Sequence, residues 1–118
     1  MAAHNELGKK GEEMALQWLR QKGFEIIHHN WRHSWFEIDI VARKEKFLHF
    51  VEVKTLKSSS LGFPEDSVTK KKFRKLKRAA DEYLFLHPGH GWISYDILAI
   101  TIHSNNEADY FFIEDVFL

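Results

Sequence analysis

Two alternating stretches joined by three residues constrain this chain more than any other feature. Residues 35–43 alternate, with Phe36, Ile38 and Ile40 on one face and Glu37, Asp39 and Val41 on the other. Residues 47–55 do the same, setting Leu48, Phe50, Glu52 and Lys54 against Phe47, His49, Val51 and Val53. Period two is the signature of a strand. The link Lys44-Glu45-Lys46 is too short for a crossover, so the pair must form an antiparallel hairpin. A turn centred on Glu45 and Lys46 sets Asp39 opposite Glu52, and Glu37 opposite Lys54.

The flanking segments complete an α/β pattern. Residues 5–22 carry Leu7, Met14, Ala15, Trp18 and Leu19 at helical spacing, with Asn5 able to cap and Gly23 to stop the helix. Residues 24–31 are strand-like. A loop over 56–65, rich in Ser and Gly and closing with Pro64, leads to a second helix. Asp66 or Ser67 can cap it, and it reaches about His87 with an apolar stripe of Val68, Phe73, Leu76, Ala80, Tyr83 and Leu84. Pro88-Gly89 ends it. Residues 92–103 and 110–118 form two further strands around a Ser104-Asn105-Asn106 turn. The order α-β-β-β-α-β-β implies a mixed central sheet flanked by helices. Length suits one domain over 1–118, and ten Phe and four Trp supply the bulk of a core.

Composition narrows the chemistry. The absence of Cys removes disulfide scaffolds and thiolate metal sites. No apolar run has the length of a membrane span, and the first residues lack the layout of a signal peptide, so a soluble, cytoplasmic protein without a membrane partner is expected. The eight His match neither a metalloprotease helix nor structural-zinc spacing. No phosphate-cradling or dinucleotide glycine loop is present. The seventeen basic and seventeen acidic residues cancel, but they are sorted along the chain. Residues 54–78 hold nine Lys and Arg against Glu65 and Asp66, whereas residues 79–118 hold seven acids and no Lys or Arg. A positive face on the second helix, with Lys70, Lys71, Lys72, Lys75 and Arg78, is able to follow a polyanion backbone. The same residues also suit a merely solvated helix face.

Glu52 and Lys54 interrupt one apolar strand and Asp39 the other, so these charges should be partly buried and need partners. Opposed Cβ atoms lie about 4.5–5.5 Å apart, close enough for two carboxylates to share a hard cation such as Mg²⁺. Lys54, on the face of Glu52, could then stabilise charge building on a phosphate. From spacing alone, a structural ion pair of Lys54 with Asp39 or Glu52 stands equally beside this metal site.

Several segments together resemble a known family. Gly8-Lys9-Lys10-Gly11-Glu12-Glu13-Met14-Ala15 is similar to its G-x-x-G-E-x-x-A helix. Asn30-Trp31-Arg32, Glu37-Ile38-Asp39-Ile40 and Phe50-Val51-Glu52-Val53-Lys54-Thr55 are similar to its N-W-R, E-I-D and F-V-E-V-K-T segments, and residues 62–84 follow its G-x-P…K…A…Y-L pattern. This is the YraN-like family of small bacterial proteins, similar to archaeal Holliday-junction resolvases within the PD-(D/E)xK nuclease-like superfamily. The resemblance implies a restriction-endonuclease-like core and a metal-dependent DNA endonuclease, with branched or junction DNA among its substrates. It implies Mg²⁺ or Mn²⁺ on Asp39 and Glu52, Lys54 as the catalytic lysine, and Glu12 as a further acid reaching the metal. It also implies a homodimer, to which residues 110–113 would offer an apolar edge. Phe36 stands where the family has Gly, and Leu56 where it has a basic residue. Asp96 matches an acid of the family's later strand, with a structural role, or the support of Lys54 or a basic group, as its readings. Trp31 and Trp35 are expected in the core or at its rim rather than as base-stacking platforms. The alternative from a different class is a nucleic-acid-binding or partner-binding module that keeps the fold without turnover.

Overall fold

A computed structural model describes residues 2–58 and 69–116, with side chains from Glu6 onward. The expected order holds. Helix α1 (Ala2–Gln21) precedes β1 (Glu25–His33), β2 (Phe36–Lys44) and β3 (Phe47–Lys57), and α2 (Lys70–Leu86) precedes β4 (Trp92–Ile102) and β5 (Ala108–Ile113). The five strands form one sheet in the order β1-β2-β3-β4-β5. Only β3 and β4 run parallel, the pair separated in sequence by α2; the other pairings are antiparallel. The sheet is therefore mixed, in an α/β architecture.

Several boundaries differ from the sequence reading. Helix α1 starts before Asn5, which lies within the helix instead of capping it. Its far end is the predicted one: Gly23 takes φ 94°, and the N–H groups of Gly23 and Phe24 return to the carbonyls of Arg20 and Leu19. That double bond is how a left-handed residue closes a helix. Strand β3 continues through Leu56 and Lys57, because β4 pairs with it to that point. The rest of the expected loop, with Pro64, the Asp66 or Ser67 cap and Val68, lies outside the described residues. Thr69 caps α2, its hydroxyl accepting from Lys72 N–H at 3.2 Å. Strand β5 ends at Ile113 rather than running to 118. Asp115 adopts φ 55°, and the N–H of Val116 turns back to the Tyr95 carbonyl.

The helices cover opposite faces of the sheet. Ala15, Leu16 and Leu19 of α1 bury against Ile40, Val51, Leu98 and Ile100. Trp18 extends this face by stacking on Tyr110 at 5.5 Å. Leu76, Ala79, Ala80 and Tyr83 of α2 bury against Ile38, Val41, Leu48 and Phe50. Central strands covered on both sides read as nearly continuous apolar runs, and a charge within them is conspicuous. No described helix is long and apolar enough to cross a membrane.

One packing detail overturns the alternation expected for β2. Ile38 packs under α2 with Val41, whereas Ile40 packs under α1 with Ala42, although Ile38 and Ile40 are two residues apart. The side-chain direction therefore switches at Asp39. The pairing with β1 skips the same place, going from His29–Ile40 to Trp31–Ile38, with Asn30 at φ 52°. The register is the same on both sides of this gap, so no residue is inserted there; the register shift of this pairing lies between Ile26 and His28.

Candidate functional site

The site forms where β2 and β3 part. Their pairing starts at Lys44–Phe47 and stops at Ile40–Val51, so Asp39 and Glu52 are the next residues on each strand. Like charges directly opposite disfavour continued pairing. Asp39 instead takes the strand's place as acceptor: its Oδ2 receives the Val53 N–H at 2.8 Å. The expected opposition of Glu37 and Lys54 is not formed, because the strands have already separated. Glu37 pairs with Arg32 across to β1, at 3.5 Å and largely in water.

Because β2 switches direction at Asp39, this carboxylate borders cavities on both faces of the sheet. On the α2 side a cavity of about 300 Å³ is lined by Asp39, Glu52, Lys75 and Arg78, with Trp35 and Phe36 at its outer wall. On the α1 side a smaller one of about 170 Å³ brings Asp39 together with Glu12 and Lys54. Burial pushes the Asp39 carboxyl up from 3.8 to about 7, against the Val53 hydrogen bond and with help from Glu12, Glu52 and Glu37. Burial also pushes Glu52 up, against the pull of Lys72, Lys75 and Lys54. Both carboxylates are half-buried.

Gly11 explains how α1 delivers Glu12. A Cβ at this position would lie 1.8 Å from Thr55 Oγ1 and 2.9 Å from Thr55 Cβ. A rotamer change moves Oγ1 but not Cβ, so any side chain at 11 must push the helix away from β3. The glycine, costly in a helix interior by about 1 kcal/mol, lets the helix sit close enough for Glu12 to act on Asp39.

The sequence-derived residues come together unequally. At the parted strand ends Asp39 borders both cavities, Glu52 lines the α2-side one and Lys54 the α1-side one, from where its charge acts on Glu52. Glu12 reaches Asp39 from the α1 side only, and among the described residues no three His, Asp or Glu side chains gather as a metal cage. Lys54 makes no close ion pair with Asp39 or Glu52, though its charge acts on Glu52; the charged contacts among the described residues join Arg32 to Glu37, His33 to Glu82, His49 to Asp96 and His103 to Asp109. Asp39 and Glu52 offer oxygen donors, half-buried and without an ion-pair partner among these contacts. That set fits a hard divalent cation whose remaining positions are filled by water or substrate. Of the basic residues on α2, Lys72 and Lys75 act on Glu52, and Lys75 and Arg78 line the larger cavity. Lys70 and Lys71 are exposed at the start of the helix.

Asp96 belongs elsewhere. Fully buried, it accepts from Ser94 Oγ at 2.6 Å and from Asp115 N–H at 3.1 Å, and its Oδ2 lies 2.6 Å from His49 Nδ1. It ties β3, β4 and the segment after β5 together and does not support Lys54. Trp31 packs its ring 5.2 Å from Tyr83, as a core or rim aromatic should. Trp35 does not: 84% exposed, it stands at the turn beside the larger cavity. Its period-two position gave no sign of this, since a turn residue belongs to neither face.

Comparison with known proteins agrees with the motifs. Residues 11–100 match the profile described as "Uncharacterised protein family UPF0102". A UPF0102 protein of Bacteroides thetaiotaomicron is 42% identical over 106 residues, covering 90% of this chain and 88% of its own. One of Phocaeicola vulgatus is 49% identical over 101 residues, covering 86% and 84%. One of Flavobacterium psychrophilum is 42% identical over 100 residues, covering 85% and 84%.

Proposed function

Since the chain belongs to the UPF0102 family, a description that carries no chemistry, we propose its function from the site itself: a divalent-metal-dependent endonuclease acting on DNA, with branched DNA among its substrates. The observation that carries this reading is that Asp39 and Glu52 stand side by side at the parted ends of β2 and β3, in a cavity also lined by Lys75 and Arg78, with Lys54 beside Asp39 in the second cavity. The resemblance of these segments to PD-(D/E)xK nucleases supports it.

In this reading Asp39 and Glu52 hold Mg²⁺ or Mn²⁺, which when bound supplies a Lewis acid and an activated water at neutral pH. The chain's own groups do the rest. The Val53 N–H fixes one Asp39 oxygen, and the carboxylate so held would be a ligand with Glu52. Lys54, beside Asp39 on the α1 side, offsets negative charge as it builds on the phosphate. Lys75 and Arg78, on the wall of the larger cavity, face the substrate backbone, and Lys72 and Lys75 oppose the upward push that burial gives the Glu52 carboxyl. Glu12 orients groups on the α1 side of Asp39. A homodimer suits symmetric junctions and would set edge strand β5, with Phe111 partly exposed, against its own copy.

Linear, flapped and four-way DNA incubated with Mg²⁺ or Mn²⁺ provides the test. Cutting of at least one, abolished by EDTA, is expected. If all stay intact at high protein concentration the enzyme reading fails, and retained binding would then leave a module without turnover. Binding itself should weaken steeply with salt. Replacing Lys75 and Arg78 with Ala should reduce the log–log salt slope by about one unit per lost phosphate contact. An unchanged slope would make this a solvated helix face.

A further inference from the structure

The larger cavity carries more than phosphate chemistry. Its outer wall is Trp35 and Phe36, with ring centroids 5.6 Å apart, and its floor includes Ile38, Leu76 and Ala79. Trp35 sits on a two-residue turn between β1 and β2, closed by the His33–Phe36 pair, where Ser34 holds φ 58°. A positive φ at the first residue is the ordinary geometry of a two-residue hairpin turn, and it fixes where the next residue stands. The turn thus sets an almost wholly exposed indole at the rim of a cavity that is apolar below and cationic on its α2 side. Burying an indole is favourable, and leaving it in water beside two carboxylates suggests a partner with a π-face. A volume of about 300 Å³ lies at the small end of ligand-sized pockets.

We propose that this cavity receives a single nucleotide unstacked from its neighbours, the base lying against Trp35 and Phe36 and its phosphate facing Lys75 and Arg78. The inference rests on the reading that Asp39 and Glu52 act on DNA, and it names the substrate feature they select. A base inside an intact duplex is held by stacking and pairing and must be extruded to enter. One at a flap, a gap or a junction centre is already free. Stacking on an aromatic side chain tolerates any base, so the selection is for unpaired structure and not for sequence. The base's π-face and the phosphate's charge answer the two chemistries of the cavity wall.

The experiment measures binding of the full chain in Ca²⁺ by fluorescence anisotropy, on a duplex, the same duplex with an unpaired flap, and the single strand. Trp35→Ala should weaken the flapped and single-stranded complexes by about 10-fold and leave the duplex within about twofold, while Trp35→Phe retains most of the affinity. Trp35 is exposed, so thermal unfolding of both variants should match the wild type. Equal losses on all three DNAs, or none on any, would overturn the inference. Because binding is read apart from turnover, the two readings fail separately. A wild type that binds with the expected preference but never cuts supports the nucleotide pocket and removes the nuclease. A wild type that cuts while Trp35→Ala loses affinity equally on all three DNAs, or on none, does the reverse, and a wild type that binds no DNA overturns both.

Discussion

Glu52→Gln and Lys54→Ala should bind DNA as the wild type does and fail to cut it. Glu52→Gln keeps size and hydrogen bonding but removes the charge that a hard cation needs, so turnover should fall to the level seen in EDTA. Lys54→Ala leaves both carboxylates in place and removes only the positive charge beside them. Its loss should be smaller, about 10²–10³-fold, the range found when one donor to a developing oxyanion is removed. Both losses should appear in kcat, with the affinity for DNA in Ca²⁺ little changed, because the backbone contacts come from α2. A Glu52→Gln protein that cuts as fast as the wild type would remove β3 from the chemistry. Equal loss of binding and cutting in Lys54→Ala would make that residue a phosphate anchor.

Asp39→Asn should make the metal-free protein as stable as the wild type or more so, and the difference should grow with pH. The Asp39 carboxyl is raised from 3.8 to about 7 in the folded chain, first by burial and then by Glu12, Glu52 and Glu37. A group that holds its proton more tightly when folded adds stability below pH 3.8 and loses that contribution as pH rises through 7. Near pH 4 the two proteins should therefore unfold alike. At pH 8 the wild type carries a buried charge costing about 2–4 kcal/mol, the lower figure allowing for solvent at a half-buried group. Asparagine is free of that charge and still accepts the Val53 N–H through its own oxygen. The gain should raise the melting temperature by about 5 °C or more. Mg²⁺ at tenfold its Kd should return about 1.4 kcal/mol to the wild type at pH 8. It should return less at pH 6, where Asp39 keeps its proton, and little to the variant. Thermal unfolding of both proteins across this range, in EDTA and in metal, decides the matter. A large loss for Asp39→Asn in EDTA with no metal response in the wild type would leave a structural carboxylate and no metal centre.

The residues that could be placed from the sequence were those whose position follows from local rules. Period two over residues 35–43 and 47–55, with three residues between, left little choice but a hairpin. Counting from its turn brings Asp39 level with Glu52, and both lie at the ladder's end as that count requires. Gly23 ended α1 and the stripe of Phe73, Leu76, Ala80 and Tyr83 turned inward, since both depend on a few neighbouring residues. The family was legible for the same reason: its motifs are contiguous.

What stayed hidden depends on residues far apart in the chain. Ile38 and Ile40 obey one alternation in the sequence yet bury under different helices, because β2 must serve two cores and gives up its regular pleat between them. That break places Asp39 on the border of both cavities, which no count along the strand contains. Asp96 was visible as an acid in a strand, but its partner His49 lies 47 residues away and is supplied by the parallel pairing of β3 with β4. Gly11 marks a contact with Thr55 that exists only once helix and sheet are stacked. Trp31 and Trp35, four residues apart and alike in composition, part ways because one meets Tyr83 while the other sits on the turn beyond the sheet. The sequence by itself determined the elements, their order and the pairing of the two carboxylates, because local periodicity and turn chemistry need no distant partner. The two-sided site, its exposed indole and the buried His49–Asp96 pair were decided by the tertiary structure, because they follow from how two helical layers divide one sheet.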